Sequence, residues 1–545
     1  MPRTPFFAKS GVVWRRQPPR GVGAAAPSFP TKPGDKPLTT IDPTLLAFLA
    51  EGGAPVVAAR PWPRFVLDRA GWQALAARLA APDWALIAEW GEAGAVHAAL
   101  RDEADGAVAI ASLACPDGRF PALGAARPPA IRLERAIRDL WGLEPEGLED
   151  SRPWLDHGRW GRRAPLAPEP LPPAPAAAPY PFLPAEGEGL HQIPVGPVHA
   201  GVIEPGHFRF HAQGETVVRL EARLGYTHKG IAALARGRTP AAAARLAGRI
   251  SGDATVAYAL AFARAAEAAS GIEAPPRAHW LRALFAELER LAGHLLDIGA
   301  IANDAGFAIL LAETMTLREQ VLDLNRELFG HRLLMDRVVP GGVADDLPPE
   351  ATACLRDLID RLGPALARVG HLYENTPSLS DRTQGTGILA PALAHRFGAG
   401  GVVGRASGRS QDARQSPGYP PYQRLDLTVP MHLKGDVDAR VLVRIAEAAE
   451  SLRLIGRILL ELPGGPVFAP LPAQAGEGLA LVESFRGEVA VWLRLDDEGR
   501  IAAFHAHDPS WFQWPLLEAA IKGNIVADFP LCNKSFNCSY SGHDQ

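Results

Sequence analysis

Cysteine is scarce in this chain. Its 545 residues include four thiols, Cys115, Cys354, Cys532 and Cys538, and no CxxC pair. Scattered single cysteines exclude a disulfide framework and fit a reducing compartment. Cys532 and Cys538 stand six residues apart, too wide for one edge of a zinc site. An excess of one charge is also lacking: 56 Lys+Arg stand against 60 Asp+Glu, for a formal net charge of −4. That balance offers no global electrostatic case for a nucleic-acid partner. Arg15, Arg16 and Arg20 near the start are too few, and too broken by proline, to act as a basic arm. No apolar run reaches the roughly 18–20 residues that span a bilayer. The opening MPRTPFFAKSGVVWRRQPP has no continuous apolar core of the signal-peptide kind. These absences predict a cytoplasmic protein whose membrane contact is made through partner subunits.

What is present is an ordinary globular composition, 47% hydrophobic and 21% charged, long enough for two or three domains. Residues 1–58 are rich in Pro, Gly and Ala and are expected to be poorly ordered. Residues 59–160 form a small α+β unit: RFVLDRAGWQALAARLA predicts a strand and then a helix, and WALIAEWGEAGAVHAALRD and GAVAIASLAC alternate like strands. AIRLERAIRDLWGL is a short amphipathic helix. Residues 161–190 are a Pro/Ala-rich linker, expected to run extended without a core of its own. Residues 191–545 form the larger unit. HFRFHAQGETVVRLEARLGY predicts a hairpin across Gln213-Gly214. In LRALFAELERLAGHLLDIGA the apolar residues recur at helical spacing, as they do in 311–330, 349–370 and 436–462. More strand is predicted around EVAVWLRLDDEGRIAAFHA. The predicted fold class is α+β: a small α+β N-terminal domain, a Pro-rich linker, then a mainly helical domain with a small antiparallel sheet.

Two motifs suggest chemistry and do not carry it. HAHD, His505 to Asp508, has metal-ligand residue types. Strand periodicity puts His505 and His507 on one face with no third ligand. RTQGTG from Arg382 is Gly-rich but does not lead from a strand into a dinucleotide-binding unit.

GPVHAGVIEPGHFRF, RLGYTHKGIAAL, LFAELERLAGHLLDIGAIANDAGF, VVPGGV, GRASGRSQDARQSPGYPPY, GDVDARVLVRIAEAAESLRLI and LPGGP fall in one order across residues 191–545. Together they resemble the large subunit of membrane-bound NiFe-hydrogenases of the formate-hydrogenlyase type and the related 49-kDa subunit of complex I. FPALGAARPPAIRLERAIRDLWGL, through Glu134, Arg135, Asp139 and Gly142, is similar to the 30-kDa subunit of complex I. The linker would then join two subunits in one chain.

In that family four thiolates in two CxxC pairs hold the NiFe centre, the donor set that a soft metal takes. At the first pair this chain has Ser251 and Ala254, and at the second Ser539 and Gly542. Cys538 is one residue off a ligand place. The family's proton-gate glutamate is replaced by Ala232. Nickel-containing relatives carry a C-terminal extension that is trimmed after metal insertion, and here the motif is followed only by Gln545. The resemblance therefore implies no NiFe centre and no metal bound by this chain.

The nickel-free relative implies other chemistry. Complex I binds a quinone head between a tyrosine and a histidine linked to an aspartate. Gly248 stands at the tyrosine place, and Tyr258 further along is either a substitute phenol or a core aromatic. His199 matches the histidine, with His207 as the alternative second one, and Asp297 matches the aspartate. Asp297 could instead pair with Arg290 or cap its helix. His294 lies on the same helix face as Asp297, as a relay or as a satisfied pair. His228 belongs to the cavity or to a structural hydrogen bond. Arg249, Arg405 and Arg409 would line the cavity, meet the cluster-bearing partner, or form core ion pairs. The expected partners are an iron–sulfur small subunit that holds the cluster and antiporter-like proton-pumping membrane subunits, with no nucleic acid. The expected ligand is a quinone-type acceptor, and the expected place is the cytoplasmic face of the inner membrane. The functional expectation is a nickel-free, hydrogenase-like electron-transfer subunit. A purely structural coupling subunit is the alternative, and an active NiFe-hydrogenase ranks last.

Overall fold

The computed structural model describes residues 13–16, 44–173, 179–199 and 203–545. The N-terminal unit is built on a five-stranded sheet in the order Gly53–Val56, Arg64–Leu67, Val108–Ala114, Ala95–Asp102, Trp84–Glu92. All neighbours are antiparallel except the parallel pair Arg64–Leu67 and Val108–Ala114. Asp68 starts the helix Arg69–Arg78 by accepting from Gly71 N at 2.7 Å. The amphipathic helix Ala130–Trp141 packs on the strand Trp84–Glu92.

Order begins earlier than composition suggests. Within the segment expected to be poorly ordered, Leu45–Gly52 is a helix and Gly53–Val56 a strand. Leu45 and Leu49, one turn apart, are fully buried. Asp102 accepts from the Leu45 N–H at 3.1 Å, and Phe48 meets Trp84 edge-on at 5.2 Å. Two leucines outweigh the Gly/Ala background because the sheet supplies a surface to bury them. Val13–Arg16 pairs antiparallel with Thr428–Met431. The rest of that segment, 1–12 and 17–43, lies outside the described residues.

The linker also differs from expectation. Ala164 and Leu166 are buried, and their N–H groups donate to Asp139 O and Leu140 O at 3.2 and 2.9 Å. Arg135 donates to the Tyr180 hydroxyl at 2.7 Å. The segment has no core of its own, but it is laid onto the core of others. Residues 174–178 lie outside the described residues.

The C-terminal domain opens with a three-stranded antiparallel sheet, Leu190–Val195, His207–Gln213 and Thr216–Arg223, whose hairpin turns where the sequence predicts. Its centre is the helix Pro276–Asp304, packed against Ala308–Phe329 and Val437–Glu461. A side chain at Gly299 would lie 3.0 Å from the Leu311 Cα, so glycine sets how closely two of these helices approach. Gly476–Ser484, Gly487–Leu495 and Ile501–His507 form an antiparallel meander. Ala59–Arg60 of the N-terminal unit adds to it in parallel.

That shared sheet explains one departure from the strand pattern. Alternation in Trp84–Glu92 predicts one wet face, yet all nine residues are buried. The C-terminal meander covers the second face. Ile87, Trp90 and Ile110 form one apolar cluster with Leu481, Trp492 and Ala503, and the Trp90 and Trp492 rings lie 5.4 Å apart. Arg132–Glu518 at 2.7 Å and Arg409–Glu103 at 2.6 Å tie the two units further. Among the described residues no helix is long and apolar enough to cross a membrane.

Candidate functional site

The loop before Thr255–Ala269 and the final helix Tyr540–Asp544 bring the four thiolate-equivalent positions together. Ser251 Oγ lies 3.0 Å from Ser539 Oγ. Ser539 caps the last helix by accepting from Gly542 N at 2.8 Å, and Ala254 N donates to Ser251 O at 3.1 Å. A side chain at Gly542 would collide with the Asp508 carboxylate and lie 2.9 Å from Ser539 Oγ. Asp508 itself accepts from the Tyr258 hydroxyl and from Ser510 N. Ser251 Oγ donates to Asp253 at 2.9 Å. Arg486 pairs with Asp253 at 2.9 Å and donates to Asn537 O at 2.6 Å.

This donor set does not fit a NiFe centre. It offers two hydroxyls bonded to each other, a methyl group and a hydrogen, where soft metals take thiolates. Burial, then Asp508, push the Cys538 thiol well above its usual range, and burial pushes Cys532 up to about 11. Both are held as neutral thiols. Among the described residues no group of three or more His, Cys, Asp or Glu is placed to hold a metal.

The other expected residues have definite partners. Tyr258 is fully buried, and burial, then Asp508, raise its hydroxyl well above the usual phenol range. Asp297 accepts from Arg444 Nε and Asn537 Nδ2, each at 2.9 Å, and not from Arg290, which binds Glu483 O and Ser484 O. His294 binds Glu447 at 2.9 Å. His199 Nε2 meets Gly206 O at 2.8 Å and His207 Nδ1 meets Gly196 O at 3.2 Å, so both histidines fasten their own loop. His228 Nδ1 meets Asp544 O at 2.7 Å, and burial pushes its pKa down. Arg249 forks onto Asp336 at 2.7 and 2.8 Å near the surface. Arg409 joins the two units through Glu103.

Arg405 is the centre of a buried ion web. It reaches Glu447 at 2.5 Å, Glu483 at 2.8 Å and Asp412 at 3.4 Å. Asp412 also pairs with Arg414, which reaches Glu287 at 3.0 Å. Burial pushes the Glu447 carboxyl up, but Arg405 and His294 outweigh it and hold the group well below its usual range. The structure thus links the four degenerate positions to Tyr258 through Asp508, and to Asp297 through Arg486 and Asn537. Among the described residues neither His199 nor His207 bonds to Asp297. Sequence reasoning missed Asp253, Arg486 and Asp508, although Asp253 and Asp508 sit inside RISGDA and HAHD.

Beside this closed cluster lies a cavity of about 560 Å³ between the N-terminal unit, the linker and the segment 228–233, which enters the short helix Ile231–Ala235. Leu140, Trp141, Trp160 and Leu166 form its apolar wall, and Ala232 lines it. Glu89, Trp90, His505 and Trp511 lie beneath. Among the described residues, both Glu89 oxygens, the indole N–H groups of Trp90 and Trp511, and His505 Nε2 are buried without a hydrogen-bond partner. Burial, then Glu134, push Glu89 well up, and burial pushes His505 down to about 3. Burial thus favours the neutral form of Glu89, and His505 is neutral near pH 7.

Comparison with known proteins agrees with this architecture. Residues 304–475 match the family described as respiratory-chain NADH dehydrogenase, 49 Kd subunit. The chain is 33% identical to the carbon monoxide-induced hydrogenase of Rhodospirillum rubrum, over 64% of this chain and 97% of that one. It is 31% identical to formate hydrogenlyase subunit 5 of Escherichia coli over 439 residues, 78% of this chain and 77% of that one. That length exceeds the C-terminal domain alone, so the likeness runs into the N-terminal unit. It is 35% identical to an NADH-quinone oxidoreductase chain of Sinorhizobium medicae, over 63% of this chain and 93% of that one. Among solved structures, a chain of the membrane-bound sulfane sulfur reductase, an archaeal respiratory membrane complex, superposes with a TM-score of 0.62 at 26% identity, covering 66% of this chain and 99% of that one. The fold and these likenesses define the class, a hydrogenase-type large subunit. This chain belongs to the hydrogenase large-subunit and complex I 49-kDa subunit family.

Proposed function

We propose that this chain is a nickel-free, hydrogenase-like electron-transfer subunit of a membrane-associated oxidoreductase related to complex I. It packs on an iron–sulfur small subunit whose cluster carries the electrons. It stands over antiporter-like membrane subunits at the cytoplasmic face of the inner membrane. Its own residues serve a quinone-type acceptor or the movement of protons beside that cluster. The observation that supports the nickel-free reading is the refilled ligand place: Ser251 and Ser539 bond each other, and Asp508 occupies the space a side chain at 542 would need. Nickel and iron analysis of the purified complex tests it. Iron from the partner's cluster without stoichiometric nickel is expected, and stoichiometric nickel would sink the reading.

One observation favours a second reading, in which the subunit couples conformational change and binds no acceptor. Tyr258 and Asp297, the groups that would address a quinone, are already bonded to Asp508 and to Arg444 and Asn537. Binding of a quinone analogue to the intact complex, lost in Asp297→Ala, supports the first reading. No binding to the intact complex supports the second.

A further inference from the structure

The cavity beside the refilled ligand place combines an apolar interior with exposed positive charge at its edge. Trp141 and Trp160 contribute flat aromatic surfaces to it, and Leu140 and Leu166 aliphatic ones. Arg162, in its wall, makes no hydrogen bond or ion pair among the described residues. Arg236 donates to Leu166 O at 3.2 Å and lies 5.6 Å from the Trp141 ring centroid, and among the described residues it has no carboxylate partner. Lys229 in the wall donates its ammonium to Ile250 O, at 2.9 Å, and to no carboxylate among the described residues. Asp544, an acid in the same wall, is already committed to His543 at 2.8 Å and to Gly225 and Thr227 at 2.9 Å each. All three cations are exposed at the cavity's rim, where their charges can meet the anionic group of a ligand held inside.

We propose that this cavity binds a flat aromatic anion, of the class of a fused-ring aromatic carboxylate, with its rings against Trp141 and Trp160 and its charged group toward Arg162, Arg236 and Lys229. The site is distinct from the His199, Tyr258 and Asp297 positions. It does not depend on whether the complex carries nickel, so failure here and failure of the nickel-free reading are separate outcomes.

Equilibrium dialysis of the full chain against 2-naphthoate tests the proposal. Saturable binding is expected. 2-Methylnaphthalene, with a similar outline and no charge, should bind at least about tenfold more weakly. The double variant Arg162→Gln/Arg236→Gln should weaken naphthoate binding by about tenfold and leave methylnaphthalene unchanged. Gly161 lines the cavity, and a Cβ there meets nothing within 4 Å. Gly161→Trp should therefore fill the space and abolish binding while circular dichroism stays that of the parent. Ala232→Trp is the second filling variant should the first fail to fold. The proposal is overturned if the parent shows no saturable binding, if both probes bind equally, or if a folded filling variant binds like the parent.

Discussion

The loop 251–254 and the loop 228–233 both depart from the hydrogenase pattern, and the fold treats the two departures differently. At 251, 539 and 542 the missing side chains are replaced by packing: two hydroxyls bond each other, and Asp508 enters the room left by a glycine. At 232, where the resemblance implies a carboxylate, an alanine lines a cavity. The difference lies in the neighbours. The ligand place sits over an interior of paired ions, where Arg486, Asp253, Tyr258 and Asp508 satisfy one another. Position 232 lies at a seam between the N-terminal unit, the linker and the segment 228–233, joined by contacts such as Trp160 with His228 at 4.9 Å and Arg236 with Leu166 O at 3.2 Å. Losing a buried polar group from a dense web invites refilling, whereas losing one at a seam leaves room.

The sharpest way to break the closed interior is Arg405→Ala. It strips the guanidinium from Glu447, Glu483 and Asp412 at once, and a loss of about 3–5 kcal/mol is expected in chemical denaturation. Next is Gly542→Cys. It supplies one thiol but drives a side chain into Asp508, so it should destabilise by about 1–3 kcal/mol in the same assay and bring no nickel with it. On the cavity side, Glu89→Gln tests the unpaired carboxyl. The folded-state pKa of Glu89 lies well above the ordinary 4.5, and its neighbour Glu134 is pushed up to about 8. Their contribution is fully present below pH 4.5 and is lost as pH rises through the folded values. Stability followed from about pH 5 to 8.5 should therefore fall less steeply in Glu89→Gln than in the parent, and equal slopes would refute this origin. The smallest effect is expected for Ser251→Ala and Ser539→Ala, about 1 kcal/mol each. Because the two share one hydrogen bond, the double variant should lose less than the sum of the two.

Local pattern made much of this molecule legible. The helical spacing in 281–298, the hairpin at Gln213-Gly214 and the strands after Gly487 are set by nearby residues, and each forms where the periodicity places it. Of the four positions that the resemblance singles out, Ser251 and Ser539 meet at 3.0 Å although 288 residues apart in sequence. What the pattern could not show was contact between distant segments. Nothing in WALIAEWGE announces that Trp90 will meet Trp492, some four hundred residues later, and bury the second face of the strand. The linker looked free because its anchors, Arg135 and the carbonyls of Asp139 and Leu140, belong to another element. For Asp297 the sequence left open an ion pair with Arg290. The pairing with Arg444 comes from helix packing and has no local signal.

Ala59–Arg60 has a consequence for how the complex is assembled. By lending a strand to the C-terminal meander, the N-terminal unit becomes part of the same sheet as its covalent partner. Two polypeptides making that contact would have to find each other in every cell and at every synthesis. A single chain fixes their ratio at one to one and replaces a bimolecular encounter by a high effective concentration. The short strand therefore need not be strong. It has only to guide two halves that are never apart into one register, and assembly of the larger complex can then begin from a ready-made pair.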